Sequence, residues 1–229
     1  MTLNIETRWR HYREPTLLAA MAGFVDTLGF IALFGLFTAH VTGNLVLTGA
    51  ELAGGNGKVL AKLLAIPVFV LTIVATTWWV QHSAVRDSKL LAKIMLVEAL
   101  ALTAFMLAGL LLGPMHDADA WNTIVTGMLG VVAMSVRNAA GRLLLGSTIP
   151  TTVMTGSVTQ LAIDATTLLA KKDDVAAARA RIGKVLPPVL GFVAGAALGA
   201  AGYASAGYLS LLLPIATTLW LAAREWRGM

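Results

Sequence analysis

The 229-residue chain is 57% hydrophobic and only 13% charged, with mean hydropathy +0.77 and a formal net charge of +5. Soluble domains carry about twice that share of charge, and cysteine is absent. A soluble globular domain, disulfides, thiolate metal sites and thiol nucleophiles are therefore excluded, and the positive charge fits the cytoplasmic loops of a membrane protein better than a nucleic-acid surface.

Residues 1–15 are polar and basic, with Arg8, Arg10 and Arg13. The apolar run that follows is long enough to stay as a first span rather than serve as a cleaved signal peptide. Runs near the roughly 20 residues that cross a bilayer as a helix occupy 16–37, 59–80, 90–113, 122–145, 185–204 and 206–223. They lack the dyad alternation of barrel strands, and helices satisfy their own backbone groups in lipid. The expected fold is an all-α integral membrane protein, one transmembrane domain over 1–229.

Basic residues set the expected orientation. Arg86, Lys89 and Lys93 fall in the 81–93 connection, and Lys171, Lys172, Arg179, Arg181 and Lys184 in 170–184. Arg224 and Arg227 are in the tail, whereas 113–121 has only Asp117 and Asp119. Six transmembrane helices with both termini cytoplasmic place these clusters inside a cell inner (plasma) membrane, as the positive-inside rule asks. Lys58 and Lys62 are the exceptions, on the outer side beside Glu51.

A polar phrase interrupts this pattern twice, as Val41-Thr42-Gly43-Asn44 and as Met154-Thr155-Gly156-Ser157. In the same register Thr38 aligns with Thr151 and Glu51 with Asp164. One residue's shift brings Phe24-Val25-Asp26 onto Val136-Arg137-Asn138. The chain reads as two copies, about 16–113 and 121–224. Three crossings per copy make it a 3+3 inverted-topology repeat. Each half has a polar break followed by a short re-entrant or interfacial helix, near 44–54 and 157–170. The first is roughly 17 Å long at 1.5 Å per residue, too short to span. If both short helices crossed, each copy would have four spans and the repeat would be parallel.

The stretches Ala22-Gly23-Phe24-Val25-Asp26, Phe37-Thr38-Ala39-His40-Val41-Thr42-Gly43-Asn44 and Asn138-Ala139 … Arg142 … Pro150-Thr151-Thr152-Val153-Met154-Thr155-Gly156 resemble the YoaK-type family of bacterial multi-pass membrane proteins. The resemblance covers nearly the whole chain. It implies membrane class rather than an activity, because the family is classed as of unknown function. One departure is Arg137, where the family usually has glutamine.

Paired breaks in the two halves are the best sequence pointer to a binding site in such a protein. Gly43 and Gly156 permit unusual backbone angles. Asn44 and Ser157 suit N-caps, so two helix N-termini, which attract anions or carbonyl oxygens, would form a polar chamber. Thr38, Thr42, Thr151 and Thr155 add hydroxyls, although each threonine taken alone more simply bonds backbone nearby. Asp26, roughly 15 Å into the first span, is the sharpest residue. A carboxylate at that depth is costly and usually functional, and without water it favours its neutral form, which suits proton exchange. The plainer reading is a structural bond to Asn138 or Arg137. Glu98 either joins a proton relay or pairs with Arg137, which alternatively snorkels to the surface. His40 titrates near neutral pH but more simply hydrogen-bonds beside the break. Glu51 and Asp164 are expected on a solvated face. Gly191, Gly195 and Gly199 form a small-residue packing stripe, within the chain or at the seam of a homo-oligomer.

The favoured function is a transporter or channel for a small polar solute or ion, proton-coupled at Asp26, with no cofactor, metal or nucleic-acid partner and the lipid bilayer as surroundings. The alternative is a membrane protein that assembles or regulates a partner without transport. An intramembrane enzyme is disfavoured, because no Gly-x-Ser-x-Gly, His-Glu-x-x-His or acidic dyad is present. Donors at the breaks favour an anion or carbonyl compound, whereas Asp26 favours a cation or proton.

Overall fold

A computed structural model describes residues 13–55, 57–84, 88–145, 154–170 and 174–228. Helices form α1 (Glu14–Ala32), α2 (Val41–Ala53), α3 (Leu60–His82), α4 (Ser88–Leu111), α5 (Trp121–Leu143), α6 (Met154–Ala170), α7 (Val175–Ala206) and α8 (Leu212–Trp226), with a 3-10 turn at Gly207–Leu211 before α8. Among the described residues there is no strand. Among the described residues five segments are long and apolar enough to cross a membrane: α1, α3, α4, α5 and the stretch Val175–Trp226. The last folds back on itself at Gly207, where φ is +56° and Tyr203 meets Tyr208 ring to ring at 5.6 Å.

Helix directions follow from named contacts. Gly191, Gly195 and Gly199 of α7 meet Thr16, Ala20 and Phe24 of α1 in that order, so α1 and α7 run parallel. A Cβ on Gly195 would overlap the Ala20 carbonyl oxygen. The glycine stripe therefore serves this internal seam, where only hydrogen lets the two backbones touch. The start of α3 is tied to the turn before α5 by Ala61 N–H donating to Asp119 at 3.2 Å, and these two helices are also parallel. Opposed to them, α4 runs antiparallel to both α5 and α8. Asn122 at the start of α5 donates to the carbonyl of Leu112, just beyond α4, at 2.9 Å, and Tyr208 packs on Phe105 and Gly109 of α4. Both described ends of the chain consequently lie on one face, the terminal face.

The core lies where α1, α4, α5 and the 3-10 turn meet, around Phe24, Leu28, Leu36, Phe105, Met134 and Leu211. Outside it, Val70, Leu71, Leu100, Leu111 and Leu198 are more than half exposed, which a lipid solvent favours and water does not.

Several boundaries differ from those expected. The first span stops at Ala32, not 37: Phe34 (φ +54°) and Gly35 (φ +82°) turn left-handed, and Gly35 N–H closes on the Phe30 carbonyl at 2.9 Å, as in a Schellman cap. The helix α7 begins at Val175 rather than 185, so Arg179, Arg181 and Lys184 sit on its first turns rather than in a loop. It also continues through Pro187 and Pro188.

The two short helices are built inside-out. In α2 the buried residues are Asn44 and Thr48, and in α6 they are Ser157 and Asp164. Leu45, Val46, Leu52, Val158, Ile163 and Leu169 are exposed. The expectation that Glu51 and Asp164 face solvent is corrected. Asp164 is 0% exposed and holds Arg181 of α7 at 2.8 Å, while Glu51 holds Lys62 of α3 at 2.8 Å. A bare carboxylate against lipid is too costly to leave unpaired, so each turns inward to a base on the next helix.

Candidate functional site

The first break, Leu33 to His40, lies across α1 and α5. Its middle is seated by glycines: a Cβ on Gly29 of α1 or Gly130 of α5 would come within 2.7 or 2.9 Å of the Thr38 methyl, and one on Gly127 would overlap Leu36. This notch brings the end of the break onto Asp26. The carboxylate is 3% exposed. Its Oδ1 accepts the Ala39 N–H at 2.7 Å and the Thr38 hydroxyl at 3.2 Å. His40 Nδ1 lies 2.5 Å from Oδ2. The imidazole is held edge-on by Phe37 and by Phe192 of α7, with centroids 6.0 and 5.6 Å away, and keeps 27% of its side-chain surface open. Asp26 is thus the buried member, and His40 the accessible member, of a carboxylate–imidazole pair. One proton can sit on either partner of such a pair.

Asn44 is fully buried but does not cap α2, whose cap position is His40. Its amide oxygen accepts Phe37 N–H at 2.9 Å, and its nitrogen donates to the Phe37 carbonyl at 2.8 Å. Asn44 therefore closes the break by satisfying both backbone groups of one residue, which the buried main chain requires. Gly43 stands in the first turn of α2, where a Cβ would come within 2.7 Å of the Phe37 ring. Thr42 is exposed.

The second break is described only from Met154 onward, and Thr151 lies outside the described residues. Ser157 is buried but inside α6 rather than at its cap, while Thr155 and Gly156 are exposed. Among the described residues α2 packs mainly on α3 and α6 on α7; the approach to the second break, on which the expected chamber of two facing helix N-termini depends, lies outside them.

Asp26 bonds neither to Asn138, which donates to Met134 of its own helix at 3.0 Å, nor to Arg137. Arg137 does not snorkel. It is 4% exposed, and its Nε donates to Glu98 at 2.6 Å. The remaining nitrogens donate to the Leu18 carbonyl of α1 and the Thr218 hydroxyl of α8, each at 3.0 Å. One guanidinium thereby ties four helices together at a point separate from Asp26. Its planar fork of five donors is suited to that task, which the single ammonium of a lysine is not.

A family model described as a protein of unknown function (DUF1275) matches residues 15–223. The chain belongs to the DUF1275 family. It is also similar to the UPF0700 transmembrane protein YoaK of Bacillus subtilis (strain 168), at 29% identity over 150 residues, which is 65% of this chain and 64% of that protein. The matched part thus spans just under two thirds of that relative. No solved structure matches. The resemblance to YoaK-type proteins is therefore borne out, and this DUF1275 chain is a multi-pass membrane protein.

Two features of the DUF1275 chain escape a reading by motif. Lys62 is 1% exposed, donates to the Phe34 carbonyl at 3.0 Å and pairs with Glu51. It was visible in sequence only as an outer-side exception to the charge rule. The other exception, Lys58, pairs with Asp117 at 2.6 Å. The Gly127 and Gly130 notch has a spacing signal in sequence, but nothing local says that a loop from another part of the chain fills it.

Proposed function

We propose that this protein is a proton-coupled transporter of a small polar solute, with the Asp26–His40 pair as its proton-exchange site. The observation that carries the reading is the 2.5 Å contact between a buried carboxylate within α1 and a partly open imidazole on the break. A proton taken up at His40 reaches Asp26 without a water chain, and the Thr38 and Ala39 donors hold the carboxylate in place for it.

The architecture proposed with it is six crossings as a 3+3 inverted repeat, both termini cytoplasmic. Support comes from matched pairs of features. The parallel pairing of α1 with α7 has its counterpart in α3 with α5, and α2 on α3 is matched by α6 on α7. The aligned residues Asn44 and Ser157 are both buried, and the aligned carboxylates Glu51 and Asp164 each pair with a base on the next helix. Those two ion pairs lie on opposite faces, because α3 starts opposite the terminal face and α7 starts on it. Each pair pins one short helix shut. Alternating access then consists of breaking one pair while the other holds, which suits a site near the middle.

The deciding experiment uses proteoliposomes loaded with a pH-sensitive dye and a panel of small amines, amino acids and carboxylic acids. Solute-dependent proton movement that is lost in folded Asp26→Asn supports the reading. Proton movement unchanged in that variant, or solute flux blind to pH, removes the proton site.

A second reading, a non-transporting assembly or regulatory protein, is favoured by one observation: Asn44 and Arg137 are engaged entirely within the chain, as in a scaffold. Absence of flux across the whole panel would favour it.

A further inference from the structure

We propose that a groove between α4 and α8, at the terminal face, is a binding site for one anionic phospholipid of the surrounding bilayer. The groove holds about 300 Å³ and is lined by Leu96, Leu219, Ala222, Ala223, Trp226 and Arg227. That volume is at the small end for a ligand cleft, and every lining residue but one is apolar. Its walls face outward: Leu96, Leu219 and Trp226 are 41%, 43% and 51% exposed. Ala222, 2% exposed, is the floor. Ala222 and Ala223, being small, leave a recess between the larger Leu96, Leu219 and Trp226.

Charge fixes the kind of lipid. Arg227 closes the groove at the terminal face. On α4, Lys89, Lys93, Leu96 and Leu100 recur at the spacing of one helix face, and both lysines are exposed. Since α4 and α8 are antiparallel, Lys89, Lys93 and Arg227 gather at one end of the groove, and Leu96 with Leu100, 69% exposed, continues it toward the middle of the span. The N-terminus of α4, with its partial positive charge, lies at that same end. The neighbouring acid, Glu225, is 2% exposed and turned into the protein. An apolar recess ending in a cluster of cations at headgroup depth matches a phosphodiester with acyl chains, and basic recesses between transmembrane helices take anionic headgroups. Trp226 supplies the amphipathic ring common at that level. The site is independent of any transport activity.

The test uses the full chain, delipidated in non-ionic detergent, and dioleoyl-phosphatidylglycerol or dioleoyl-phosphatidylcholine as probe. Thermal unfolding should rise by several degrees with the glycerol lipid and little with the choline lipid. Native mass spectrometry should retain one copy of the former. Lys93→Gln combined with Arg227→Gln should remove most of the shift. Ala223→Phe, which fills the groove without altering charge, should remove it as well, and Lys184→Gln, an exposed base elsewhere on the same face, should not. Equal shifts with both lipids, or a shift surviving both the charge and the filling variants, would overturn the site. So would an equal shift with glycerol phosphate alone, which lacks acyl chains. A lipid-insensitive dimer cross-linked through Trp226→Cys would assign the groove to a second copy and equally overturn it.

Discussion

Arg137 and Glu98 form an ion pair in which each side chain is 3% exposed, with the guanidinium reaching α1 and α8 as well. Removing one partner from such a pair typically costs about 3–5 kcal/mol, because the other charge is left buried alone. Arg137→Met should therefore lower thermal stability in detergent sharply. Arg137→Met with Glu98→Leu should regain most of the loss. A double variant no better than the single one would refute this account of the pair.

The two short-helix ion pairs should respond in opposite senses. Glu51→Gln frees Lys62 and loosens α2, whereas Asp164→Asn frees Arg181 and loosens α6. Cysteine labelling of Thr38→Cys from each side of sealed vesicles measures the effect. The first variant should raise labelling from the face opposite the termini, and the second should not. The same response to both would sink the alternating scheme while leaving the proton site standing.

Orientation is testable without any activity. Asp119→Cys and Asp174→Cys lie in exposed or half-exposed turns at opposite ends of the bundle. A membrane-impermeant thiol reagent should label Asp119→Cys in intact cells and Asp174→Cys only after permeabilisation. Labelling of both from outside would overturn the assigned topology.

Close packing of α1 on α7 yields a steric prediction. Gly195→Ala places a methyl against the Ala20 backbone, and overpacking of this kind costs typically about 1–3 kcal/mol. Gly183→Ala in the same helix meets no neighbour within 4 Å and should be neutral or stabilising by about 0.5–1 kcal/mol through lower backbone entropy in the unfolded chain. Chemical denaturation of both variants compares the two directly.

At the opposite face, the Lys58 ammonium bonded to Asp117, then the Asp119 N–H, holds the Asp117 carboxyl below the ordinary carboxylate range. A folded-state value below the unfolded one gives stability that is present above the unfolded pKa and lost as pH falls through the folded one. Lys58→Met should therefore be slightly less stable than the parent at neutral pH, with the difference closing in acid. Both side chains are about half exposed, so added salt should shrink it too. A difference that widened in acid would contradict the assignment.

Much of the fold could be read from sequence because its signals are local. Apolar runs mark helices wherever they pack, and a polar phrase among them marks a break. The aligned Asn44 and Ser157 are both buried, and the aligned Glu51 and Asp164 each pair with a base on the next helix. What stayed hidden depends on partners distant in the chain. Periodicity gives Arg137 a depth but not Glu98 as its neighbour, and Asn44 looks like a cap until Phe37 is seen opposite it. Inward-facing carboxylates on exposed-looking short helices reverse the rule for water-soluble proteins, since here the outer solvent is hydrocarbon.

The pairing of α1 with α7 also bears on how the molecule is made. The helix α1 leaves the ribosome well before its main neighbour α7, and its groove for Gly191, Gly195 and Gly199 stays empty until then. At roughly 5–20 residues per second, α1 waits on the order of ten seconds with Asp26 already in the membrane. Its escort in that interval is its own break: Thr38, Ala39 and His40 emerge directly behind Asp26 and can cover the carboxylate within a single newborn segment. A truncation ending before α7 should thus insert with Asp26 sheltered, yet leave α1 open to quality-control proteases along the face that the glycines would have closed.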